Sequence, residues 1–126
     1  MNHFTIVRPE HLNHNGFLFG GIMLKWVDEY AWITASRDYP HCMLVTIAMD
    51  NILFKERVLN GSILRFDIRP RMQGNTSVRY AVEVHADEPG ADVEKKVFTT
   101  TVTFVRVDGD GHKMPLPAQT TYRSLQ

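Results

Sequence analysis

The feature that most constrains the fold is the stretch GGIMLKWVDEYAWITASR, residues 20–37. A helix drawn through it is apolar around nearly its whole circumference, so it cannot leave a broad side in water. The helix is expected to end before Tyr39-Pro40, because a residue preceding proline avoids helical angles. At 1.5 Å per residue it is roughly 25 Å long. Lys25, Asp28 and Glu29 interrupt the apolar run too soon for a membrane span. Such a helix has to be wrapped by the rest of the chain.

The remaining sequence supplies the wrapping. HFTIV (3–7) reads as a short strand, and a loop with turn formers Asn13, Asn15 and Gly16 leads into the helix. After the helix the periodicity changes from helical to alternating. MLVTIAMDNILF (43–54) is rich in β-branched and bulky residues. In 62–72 Leu64, Phe66 and Ile68 share one face; in 76–86 Val78, Tyr80, Val82 and Val84 do; in 95–107 Phe98, Val102 and Phe104 do. Turn signals fall at NG (60–61), QGN (73–75) and EPGAD (88–92), and short connections favour antiparallel neighbours. The expected fold class is α+β: one long helix wrapped by a curved antiparallel meander. The tail after DGDG (108–111) has little pattern, and 110–126 is expected to be flexible in part.

The 126 residues suit one domain, 1–126, with a small core that gains from burial against a second subunit. Lys+Arg and Asp+Glu are equal at 14 each. That balance argues against nucleic acid or an anionic membrane as partner, while leaving room for a local basic patch toward a phosphorylated small molecule. Cys42 is the single cysteine, so no internal disulfide forms. The opening MNHFTIVRPEH lacks a signal-peptide pattern. The expectation is a soluble cytoplasmic protein.

With Asp28 at zero on a helical wheel, Gly21, Leu24, Ala31, Trp32 and Ala35 fall within about 60°. Lys25, Glu29 and Ser36 gather on one flank as a thin polar strip. Asp28 therefore stands at the edge of that strip, against small and apolar neighbours. A carboxylate there needs a partner or a task. Gly20-Gly21 has two readings as well: close backbone packing, or a bare helix start whose free N–H groups can meet a carbonyl oxygen. Oxyanion donors and a carboxylate on one apolar-lined face suit acyl-transfer hydrolysis.

The string LNHNGFLFGGIMLKWVDE (12–29) resembles the signature of hot-dog-fold acyl-CoA thioesterases, in the acyl-CoA hydrolase group of brain acyl-CoA hydrolase and its single-domain bacterial relatives. The matching residues are Asn13, Gly16, Phe19, Gly20, Gly21, Asp28 and Glu29, and the likeness continues through VTIAMDNILF (45–54) and GNTSV (74–78). The resemblance implies a hot dog fold whose sheets pair between two subunits, a homodimer with a shared site, and a hexamer built as a trimer of dimers. It implies hydrolysis of acyl-CoA to free fatty acid and coenzyme A. Asp28 would be general base or nucleophile. Asn13 would come from the partner subunit, and the Gly21 amide, with Gly20, would hold the thioester oxygen. Gly16 and Phe19 would belong to the substrate site. No cofactor is implied, because the coenzyme A thioester is itself the substrate.

For the coenzyme, Thr76 and Ser77 offer hydroxyls near a turn, and Lys55, Arg57 and Arg79 offer cations; each cation read singly is equally a solvated charge. Arg57 stands where several relatives have proline. No metal site is expected: none of the six histidines forms a helical i,i+4 pair, and DGDG reads as a turn. Cys42 reads as a structural thiol. Two alternatives remain: an acyl-thioester hydratase or dehydratase, disfavoured by Phe19 where that chemistry wants histidine, and a non-catalytic acyl-CoA-binding protein.

Overall fold

The computed structural model describes residues 1–118. Strand β1 (Asn2–Ile6) comes first. A single 3-10 turn and a tight loop lead to helix α1 (Gly20–Asp38), followed by β2 (Met43–Phe54), β3 (Ile63–Gln73), β4 (Ser77–Asp87) and β5 (Lys95–Val107). The five strands form one antiparallel sheet in the order β1-β3-β4-β5-β2.

Alternation sets which face of the sheet meets the helix. Leu64, Phe66 and Ile68 of β3, and Val78, Tyr80, Val82 and Val84 of β4, are buried. Against them α1 buries Met23, Val27, Ala31, Thr34, Ala35 and Asp38, a stripe with three- and four-residue spacing. Tyr30 and Trp26 meet Phe66 edge-on at ring separations of 4.9 and 6.4 Å. The opposite face of the sheet is polar and carries ion pairs, Arg65–Glu94 at 2.8 Å and Lys96–Glu83 at 3.0 Å. Arg79 stands on this outer face, opposite Thr103.

The meander expected from the short connections holds for β3, β4 and β5. It fails for β2 and β3, which lie at different places in the sheet, with β2 at the far edge beside β5. The connection 55–62 instead crosses the start of the helix. There the Leu18 N–H donates to Val58 O at 2.9 Å, Leu59 bridges to Phe17, and the Val7 N–H donates to Ser62 O at 2.9 Å. Val58 is buried in the core. A segment that closes the open end of the core satisfies backbone groups that a tight hairpin would leave unpaired.

As far as the described residues run, the tail is hydrogen-bonded to the sheet and to the β3–β4 turn. The Met114 N–H donates to Arg106 O at 2.9 Å, the Leu116 N–H donates to Asn75 O at 2.8 Å, and Leu116 is buried. Residues 119–126, the rest of the tail expected to be flexible, lie outside the described residues. Among the described residues no helix is long and apolar enough to cross a membrane.

The fully buried carboxylate of α1 is Asp38, in the last turn, where the Tyr80 hydroxyl donates to its Oδ2 at 2.6 Å. Removing a hydrogen bond to a buried carboxyl group is expensive, so Tyr80→Phe is expected to lower unfolding free energy by about 1–3 kcal/mol, measured by urea denaturation.

His3 stacks on Tyr30 at 4.9 Å and its Nε2 lies 3.1 Å from Thr34 Oγ1. Burial lowers its pKa, aided by the positive amino terminus and Arg37. The folded state then holds fewer protons on His3 than the unfolded state. His3 therefore subtracts nothing well above its ordinary value of about 6.5, and destabilises as pH falls through it toward the lower folded value. The urea midpoint is expected to drop between about pH 7.5 and 5.5, and to drop less in His3→Gln.

Candidate active site

The loop before α1 is a small closed structure. Leu12 bridges to Leu18, the Asn13 N–H donates to Phe17 O at 2.7 Å, and the Phe19 N–H donates to His11 O at 2.9 Å. Gly16 sits at φ +84°, a conformation that side chains disfavour, and this is what turns the chain. The side chain of Asn13 holds the loop from inside: its Oδ1 accepts the N–H groups of Asn15 at 2.9 Å and Phe17 at 3.2 Å. The carbonyl oxygen is thus occupied, while the Asn13 amide NH2 has no hydrogen-bond partner among the described residues.

Phe19 is the N-cap of α1, and its side chain makes no capping hydrogen bond. Its carbonyl accepts from the amides of Ile22 at 3.0 Å and Met23 at 3.2 Å. Among the described residues the N–H groups of Gly20 and Gly21 have no partner. They are the positive end of the helix, without an acceptor among the described residues. Beside Gly20 lies a cavity of about 260 Å³, floored by Leu18, Met23 and Val58 and rimmed by Lys55, Glu56 and Arg57. Arg57 is held with its guanidinium carbon 4.7 Å from the centre of the Phe17 ring.

Asp28 is half-buried, and the Thr46 hydroxyl of β2 donates to its Oδ1 at 2.7 Å. The sequence offered no sign of Thr46; it becomes visible only once β2 is laid beside the helix. The wheel put Asp28 and Gly21 on one face. The helix also separates them by seven residues, or roughly 10 Å along its axis. One carbonyl group cannot touch both, since each contact must be close to 3 Å.

Other residues singled out in the sequence are also dispersed. Lys55, Arg57 and Gly20 share the cavity at the start of α1. Thr76 and Ser77 belong to the β3–β4 hairpin, at the end of the sheet where the Tyr39 hydroxyl donates to Gln73 Oε1 at 2.6 Å. That is the other end of α1, roughly 27 Å from Gly20 by helix rise. Arg79, on the outer face, joins neither group. Within one chain the residues stand at four separate places: the start of α1, Asp28, the β3–β4 hairpin and, on the outer face, Arg79.

The surface around Asp28 is conspicuously apolar. Beside it, β2 is an edge strand exposing Met43, Val45, Ile47, Ile52, Leu53 and Phe54, and Trp32 of α1 is 45% exposed. Trp32 Nε1 donates to Leu44 O at 3.0 Å, which ties the helix to this edge. Among the described residues Asp108, Asp110 and His112 form the one cluster with metal-ligand types, their ligand atoms within 4.8 Å. It is an exposed turn in which Asp108 Oδ1 accepts the N–H groups of Asp110 and His112, at 2.9 Å each.

A curved antiparallel sheet around one long helix, with a bare helix start and a helical carboxylate, defines a hot dog fold. Residues 15–93 match the family model of the thioesterase superfamily, and the chain belongs to that family. Among its relatives is the cytosolic acyl coenzyme A thioester hydrolase of Mus musculus, 32% identical over 89% of this chain. The chain spans 30% of that relative's length. The acyl-CoA thioester hydrolase YciA of Salmonella typhimurium is 28% identical, with 91% of this chain and 88% of the relative aligned. A hexameric hot-dog-fold thioesterase of Campylobacter jejuni superposes with a TM-score of 0.81 at 35% identity, covering 91% of this chain and 88% of that one. An acyl-CoA hydrolase of Staphylococcus aureus, solved with butyryl coenzyme A and coenzyme A, has a TM-score of 0.85 at 25% identity, covering 94% and 71%.

The two ends of the Asn13 side chain can be tested separately. Asn13→Ala removes the acceptor for two loop amides and is expected to cost about 1–2 kcal/mol in thermal or urea unfolding. Asn13→Asp keeps that acceptor and should unfold close to wild type, while losing the NH2 donor.

Proposed function

We propose that the chain hydrolyses acyl-CoA thioesters to a free fatty acid and coenzyme A, as a dimer-based assembly whose sites are shared between subunits. The observation that carries this reading is the split of the machinery along α1. Two unpartnered amides lie at its start, and a carboxylate held by Thr46 lies roughly 10 Å further on, beside an exposed apolar edge strand. Two-fold pairing through β2 would cover that edge and bring the Gly20-Gly21 start of one subunit toward Asp28 of the other. The hexameric assembly of the Campylobacter jejuni relative and the coenzyme A complexes of the Staphylococcus aureus relative support it. So do the hydrolase names of the sequence relatives.

In this reading the thioester oxygen accepts from the amides of Gly21 and Gly20, and the Asn13 NH2 of the same loop orients the thioester. Asp28 takes a proton from water as the water oxygen attacks the carbonyl carbon. The tetrahedral oxyanion collapses, the C–S bond breaks, and the thiolate leaves with a proton as coenzyme A. In the other form of the mechanism a carboxylate oxygen of Asp28 attacks the carbonyl carbon directly and the C–S bond breaks, the thiolate leaving with a proton as coenzyme A; water then cleaves the mixed anhydride, releasing the fatty acid and restoring the Asp28 carboxylate. Thr46 fixes the carboxylate rotamer in either form and is a positioning residue. A thioester is already activated, so neither form requires a metal or a serine nucleophile. In this reading Lys55 and Arg57, on the rim of the cavity beside Gly20, would serve the coenzyme as cations, and Thr76 and Ser77 would serve a site completed by another subunit.

Free-thiol release from acyl-CoAs of several lengths tests the activity. Asp28→Asn is expected to lose about 10²–10⁴-fold in kcat, and Thr46→Val about 10-fold or more. Equal release by Asp28→Asn and wild type would remove the assignment. Co-refolding Asp28→Asn with Asn13→Asp tests the shared site. Each variant alone is expected to be nearly inactive, while random pairing should restore about a quarter of wild-type activity through hybrid dimers. No restoration would place both residues in one subunit's site.

A further inference from the structure

The two glycines that open α1 each lie under a phenylalanine ring. A methyl group built on Gly21 would come within 2.7 Å of Phe19 Cε2, and within 3.2 and 3.3 Å of two more atoms of that ring. A methyl on Gly20 would lie 3.4 Å from the edge of the Phe54 ring. The two rings differ in how they are held. Phe54 packs edge-on against the buried Phe98, with ring centres 4.8 Å apart. Phe19 is 54% exposed and rests on Gly21. A large apolar side chain left more than half in water, folded back on a bare stretch of helix, has little to gain from burial there. Its position instead borders the two unpartnered amides.

We propose that Phe19 is a specificity-determining residue. Its ring, seated on Gly21, forms one wall of the seat for the acyl carbonyl, and Gly21 is glycine to make room for that ring. The inference rests on the thioester-hydrolysis reading and adds a selectivity to it. A ring bordering the oxyanion amides stands near the carbon next to the carbonyl, far from the end of the acyl chain. It therefore discriminates against a methyl branch on that carbon and is indifferent to chain length. Phe54, fixed by Phe98, is the rigid wall on the other side. A sterically closed wall acts against the branched substrate as a repulsive element, in the way pockets generally reject one extra methyl.

The experiment compares butyryl-CoA with isobutyryl-CoA, and butyryl-CoA with octanoyl-CoA, in wild type, Phe19→Ala, Phe19→Leu, Gly21→Ala and the Phe19→Ala/Gly21→Ala double variant. Wild type is expected to favour butyryl over isobutyryl. Phe19→Ala should reduce that preference by about tenfold, with Phe19→Leu intermediate, while the butyryl-to-octanoyl ratio stays within about twofold. Gly21→Ala should also erode the preference, because the added methyl unseats the ring, and should change nothing further when Phe19 is already alanine. An unchanged branched-to-straight ratio in Phe19→Ala overturns the proposal. So does an equal effect of Gly21→Ala in both backgrounds, which would mean that the substrate itself needs the glycine. If wild type turns over no acyl-CoA, the hydrolase reading fails, and thermal unfolding then tests the ring seat alone. Gly21→Ala should raise Tm more in the Phe19→Ala background than with Phe19 present; equal shifts overturn the seat.

Discussion

The packing of α1 into the concave face of its sheet is the constraint on which everything else depends. The contact stripe runs Met23, Val27, Ala31, Ala35, and Asp38 closes it against Tyr80. Small side chains at its centre let the helix lie close to strands whose inward residues are large, among them Phe66, Tyr80 and Phe104. Large against small across a contact is how a core reaches solid packing density without strain. One stripe, however, is all that a single five-stranded sheet covers. The helix carries more apolar surface than that, and Trp32 with the β2 edge remains uncovered. An apolar patch of this kind on an otherwise charged surface is the usual mark of an interface.

The helix is also a ruler. Its rise fixes Gly21 and Asp28 roughly 10 Å apart, and no side-chain rotation changes that spacing. That spacing keeps one carbonyl from touching the helix-start amides and its own chain's carboxylate directly, and the proposed chemistry takes the carboxylate from a second subunit. Assembly thus serves the proposed chemistry as well as the apolar surface, and both point to the same edge of the molecule. Thr46 sits where they meet, on the exposed edge strand and hydrogen-bonded to Asp28.

Much of the fold was legible in the linear pattern. The helix expected over 20–37 is observed as Gly20–Asp38, and the strands expected over 43–54 and 95–107 are observed with those bounds. Period and turn chemistry are local, so they are readable locally. The strand order was not. A short connection ordinarily joins neighbours, but 55–62 is used to cap the helix end, and that use depends on where the helix lies. The same holds for carboxylates. Asp28 drew notice because of its apolar neighbours on the wheel, yet Asp38 is the buried one, because Tyr80 reaches it across the core.

The sequence by itself determined the class of structure: a helix too apolar to stand alone, strands with one face suited to cover it, and a helix start stripped of side chains. These follow from periodicity and from the missing Cβ of glycine, which no context alters. Tertiary structure alone decided which groups are near one another. It put Thr46 on Asp28, tied the Asn13 carbonyl into its own loop, and laid Phe19 over Gly21. It also set the hydroxyls of 76–77 and the cations of 55–57 at opposite ends of the helix. The physical reason is that contact is a property of distance in space, and distance between residues far apart in sequence is set by how the strands are ordered around the helix.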